Sequence, residues 1–93
     1  MSDAKIADEL LAQISTIKND GTEKKIPVII TLNENSDIQT IIQKLTEKNI
    51  SVTSSFTEPV IMVTCSPTPI QIEQISELLE IKKIEFDGNV FPQ

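Results

Sequence analysis

The chain has 93 residues, a net charge of −6, 24% charged residues and only 3% aromatic ones. This is the length of one small domain, which buries roughly 60–65% of its unfolded surface. It contains no His and no Arg. These absences remove the usual general base near neutral pH, the commonest metal ligand and bidentate phosphate recognition. With an acidic balance and few aromatics, they argue against an enzyme, a metal or cofactor site and a nucleic-acid partner.

In chain order, residues 3–19 read as a helix. Ser2 sits at the N-cap, and Ile6, Ala7, Leu10, Leu11, Ile14 and Ile17 form one apolar stripe. Gly21 lies in a linker that runs to Lys25. Ile26–Leu32 is a nearly continuous apolar run, the pattern of a strand buried on both faces and therefore central. Ser36 is expected to cap the next helix, with Gln39 completing a capping box and Ile38, Ile41, Ile42 and Leu45 facing inward. Asn49 fits the left-handed residue beyond that helix.

Ile50–Phe56 alternates, with Ile50, Val52 and Phe56 on one side and Ser51, Thr53 and Ser55 on the other, as a half-exposed edge strand does. Thr57-Glu58 is a short turn, and Val60–Cys65 is a second central strand. Thr68 caps a third helix, with Pro69 at its first position, Gln71 in the box, and Ile72, Ile75, Leu78 and Leu79 inward. The last strand, about Lys82 to Phe86, turns Ile84 and Phe86 in and Lys83 and Glu85 out, and a tail runs from Gly88 to Gln93.

Two segments recur at one offset. Pro27-Val28-Ile29 returns as Pro59-Val60-Ile61, and Ser36-Asp37-Ile38-Gln39 returns as Thr68-Pro69-Ile70-Gln71, both 32 residues on. A doubled strand–helix–strand unit gives β-α-β-β-α-β, an α+β ferredoxin-like antiparallel sheet with an additional N-terminal amphipathic helix. The organisation is then 1–25 for the N-terminal helix and linker, and 26–93 for the ferredoxin-like domain with its short tail.

In that arrangement helices cover one face of the sheet. Parity sends Val28, Ile30 and Leu32 toward them and leaves Ile29 on the open face, beside either Ile61 and Val63 or Val60 and Met62. The open face is expected to be apolar at its centre and polar at its edges. It would be covered by the N-terminal helix, by a second copy or by another protein.

Cys65 is the one cysteine and has no His to pair with, so it reads as a buried structural thiol. The opening Met-Ser-Asp-Ala-Lys has no secretory pattern, and no apolar run reaches ~18 residues, so no membrane association and a cytoplasmic location are expected.

Two short patterns carry a family resemblance. One is Val52-Thr-Ser-Ser-Phe56 on the second strand; the other is Ile81-Lys-Lys-Ile84-Glu85-Phe86-Asp87 on the last. Together with the strand order they resemble the subtilisin-propeptide family, which includes free-standing inhibitors of subtilisin-like serine proteases. The similarity runs from about Ile26 to the C-terminus.

The resemblance implies a non-enzymatic protein-binding module. Its open sheet face would dock on surface helices of the protease, and its tail would lie in the active-site cleft by strand addition. Carried onto this chain, the docking face is Ile29, Ile61 and Val63. The tail is Asn89, Val90, Phe91, Pro92 and Gln93 after Gly88, and Glu58 caps a protease helix. The alternative from a different class is a self-associating domain, a homodimer through the open face with a regulatory or small-molecule-sensing role.

Overall fold

The computed structural model describes residues 6–19, with side chains as far as Thr16, and 24–87. They form an α+β fold of three helices and one four-stranded antiparallel sheet. The elements are α1 (Asp8–Asn19), β1 (Val28–Leu32), α2 (Ile38–Glu47), β2 (Val52–Phe56), β3 (Met62–Cys65), α3 (Pro69–Ile75) and β4 (Ile81–Phe86). Strand order is β2-β3-β1-β4, so the two most apolar strands are central, as their composition requires. Ser2, Gly21 and the tail 88–93, together with the Ile17 side chain, lie outside the described residues.

Register separates the two faces. One face stacks Val52, Cys65, Val28 and Phe86 in one rung, and Ser55, Val63, Ile30 and Ile84 in the next. Against it pack Ile41 and Leu45 from α2 and Ile72 and Ile75 from α3, all fully buried in a single cluster. Each such side chain contributes roughly 1.5–3 kcal/mol of transfer free energy.

Helix α1 joins this same layer. Ile6 bridges Ile84 in parallel, the Ala7 N–H donates to the Ile84 carbonyl at 2.9 Å, and Leu10 and Ile14 enter the common core while α1 packs on β4 and α3. Of the three covers left open for the second face, this helix is therefore not the one: Leu10 and Ile14 are spent on the helix-covered face.

The doubled unit holds at the level of elements and slips at the level of residues. The N-cap of α2 is Asp37, not Ser36: its carboxylate accepts from the Gln39 N–H at 3.1 Å, while the Ser36 hydroxyl donates to the Glu80 carbonyl at 3.2 Å. In α3 the expected cap stands, a complete box between Thr68 and Gln71 with Pro69 opening the helix. The caps are thus 31 residues apart rather than 32, because Asp, a good cap, follows Ser in the first copy, whereas Pro in the second takes the first helical position. Asn49 adopts φ 65°, the left-handed residue expected after α2. Leu79 does not face inward; α3 ends at Ile75, and Leu79, 85% exposed, sits in the turn ahead of β4.

Candidate protein-docking face

The second face of the sheet carries no described helix and is built from two rungs that each cross all four strands. Ser54, Thr64, Ile29 and Glu85 form one; Phe56, Met62, Thr31 and Lys83 form the other. Lys83 and Glu85 pair at 3.3 Å across the rungs at the β4 edge, so the face is electrically neutral on a chain of net charge −6. Its apolar members are Ile29, Met62 and Phe56. Half of its four central positions are threonines, so the centre expected to be apolar is a mixed one.

Two of the residues expected on this face lie elsewhere. Val63 is 0% exposed and belongs to the opposite face with Cys65, which is the strand parity that β1 imposes through Ile30↔Val63. Ile61 precedes β3, has its carbonyl bonded by the Leu32 N–H at 2.9 Å and packs against the same core. Ile29 is placed where expected, and of the two parities left open beside it the register selects the one that puts Met62 on this face. The signal was available: Thr64 is the one polar residue between Val60 and Cys65, and a lone Thr in a central strand marks the side away from the core.

The position of Phe56 had no such signal. A register irregularity between Val52 and Ser54 shifts parity along β2, so Val52 faces the helices while Phe56 turns to the open face beside Met62, 47% exposed. The strict alternation Ile50, Val52, Phe56 on one side is therefore broken at Thr53.

Glu58 stands exposed in the β2–β3 turn, joined to Pro59 by a cis peptide bond. This turn borders a groove of about 320 Å³, whose walls include Leu32, Pro59, Val60 and Ile61, with Glu34 and Lys82 among its polar lining. Val60 is 46% exposed there. Among the described residues no group of His, Cys, Asp and Glu side chains is arranged to hold a metal.

Cys65 is buried, and desolvation pushes its thiol up to about 12, far from a nucleophile's range. Glu80 binds Lys44 at 2.6 Å and ties α2 to the α3–β4 turn. Among the described residues no helix is long and apolar enough to cross a membrane.

No family model matches the chain, and neither the curated proteins nor the solved structures offer a match.

Proposed function

We propose that the chain is a non-enzymatic protein-binding module that presents the open face of a ferredoxin-like sheet, extended by α1, to a subtilisin-like serine protease. The observation that carries this reading is that all three helices pack against one face, leaving Ile29, Met62 and Phe56 on the other without a described cover. A neutral, mixed face of this kind suits a reversible protein interface, which is about as polar as ordinary surface. The exposed Glu58 stands at the end of β2, where an acidic residue has access to the N-terminus of a partner helix.

The non-enzymatic reading is supported by a chain without His or Arg and by a thiol held in its neutral form. With a single cysteine and no disulfide to preserve, the module is proposed to act in a reducing compartment, the cytoplasm.

Titration into a subtilisin activity assay tests the reading. Inhibition is expected at micromolar concentrations, weakened at least ~10-fold by Ile29→Lys, a loss of about 1.4 kcal/mol. Ile29 faces Glu85 across the β1–β4 ladder, so the introduced ammonium has a partner and the fold is kept. Full protease activity at micromolar excess of the natural chain rejects the proposal.

A further inference from the structure

The two edges of the sheet are finished differently. At the β4 edge, Ile6 and Ala7 bridge Ile84, and the strand carries Lys82, Lys83 and Glu85. At the β2 edge no described residue pairs with the outer side of the strand, and Val52-Thr53-Ser54-Ser55-Phe56 contains neither charge nor proline. Charges, prolines and covering segments are the devices that keep an edge from pairing with another chain. β4 has charge and cover; β2 has only its irregularity at Thr53.

We propose that β2 is a pairing edge for a second copy of this chain, joined antiparallel about a two-fold axis normal to the sheet. This goes beyond the open-face reading and uses a different surface.

Three observations select a copy as the occupant. First, a chain of net charge −6 repels its own kind, and β2 is an edge free of charge from Asn49 to Thr57, where two copies approach at the least electrostatic cost. Second, such a two-fold keeps the helices of both copies on one side, and this demands that open-face residues meet open-face residues. A two-fold centred on any residue beyond the irregularity at Thr53 satisfies it, and the one centred on Ser55 places Ser54 of each copy opposite Phe56 of the other. Third, that register covers the aromatic edge of Phe56, which is 47% exposed at the margin of the sheet.

The irregularity at Thr53 limits the junction to a few residues per copy. The buried area is therefore well under the ~800 Å² per partner of a stable interface, and the association is weak and concentration-dependent. The two open faces end up side by side and remain available.

Sedimentation velocity on the full chain from micromolar to millimolar concentration tests this, with amide hydrogen exchange read at both ends of the range. A reversible dimer is expected, with exchange at Thr53–Phe56 slowing as concentration rises. Ser55→Lys places like charges opposite one another and is expected to raise the dissociation constant at least ~10-fold, while Ile29→Lys leaves it unchanged.

Ser55 is exposed, so that variant keeps its fold, as its far-ultraviolet spectrum will show. A chain that stays monomeric to millimolar concentration overturns the proposal. So does a dimer that survives Ser55→Lys and dissociates with Ile29→Lys, which moves the contact to the open face. Protease inhibition is measured separately, so failure of either reading leaves the other standing.

Discussion

Gln39 and Gln71 occupy equivalent places in the repeat but have different duties. Gln71 closes the α3 cap: its side-chain oxygen accepts from the Thr68 N–H at 2.9 Å, and its amide nitrogen donates to the Lys48 carbonyl at 2.9 Å, joining the start of α3 to the end of α2. Gln39 is exposed and gives its backbone N–H to Asp37. Gln71→Ala is therefore expected to cost about 1–2 kcal/mol in urea unfolding, and Gln39→Ala within about 0.5 kcal/mol of nothing.

Cys65 supplies the pH dependence. Its folded pKa is raised from 9.0 to about 12, so burial favours the neutral thiol. The stability this contributes is complete below pH 9, where folded and unfolded chains both hold the proton, and is lost as pH rises toward 12. Cys65→Val removes that loss. The difference in unfolding free energy between the two proteins should stay constant up to pH 9 and then shift steadily in favour of the variant. In the native state at neutral pH the natural thiol should resist alkylation until the protein is unfolded.

At the scale of elements, α1 is part of the domain rather than an appendage. Leu10 is fully buried against the common core, and the residues just ahead of the helix extend the sheet at β4. Leu10→Ala should cost about 2–5 kcal/mol, the range for emptying a packed leucine site, measured by thermal or urea unfolding. If α1 merely rested on the surface, the cost would fall to about 0.5 kcal/mol or less.

The inward face of α1 at Leu10 and Ile14 was legible in the sequence because it is periodic, and the two central strands because their apolar runs are nearly continuous. The start of the helix was not, since Ile6 and Ala7, read as part of its stripe, precede it and bridge β4. The Thr68 cap and the left-handed Asn49 were legible too, because each uses a residue type suited to one backbone task. Register was not. A slip at one residue, Thr53, reverses every side chain beyond it. The run Pro59-Val60-Ile61, which looks like a copy of the β1 entry, is spent on the turn, and β3 begins only at Met62. The candidate face suffered most, since its members are chosen by parity alone.

For the whole molecule, the decisive property is the separation of a covered face from an open one, and two adjacent residues of β3 report it. Met62 lies opposite Thr31 and Phe56 on the open side, partly exposed; Val63 lies opposite Ile30 and Ser55 on the covered side, with no exposure. A lysine at Met62 reaches solvent by extending along the surface, keeping its stem on the sheet and its charge in water. A lysine at Val63 has no such exit: it must bury an ammonium among Ile30, Ile84 and the helices, or open the core to water.

Met62→Lys should therefore change the unfolding free energy by no more than about 1 kcal/mol, while Val63→Lys should cost at least about 4–5 kcal/mol, a large part of the stability of a domain of this size. Paired urea denaturation curves check both. Equal losses would mean that the two faces are equally buried and that something covers the open one even in the isolated chain. A stable Met62→Lys protein that no longer inhibits subtilisin would instead assign the lost affinity to the face itself, since the core beneath it is intact.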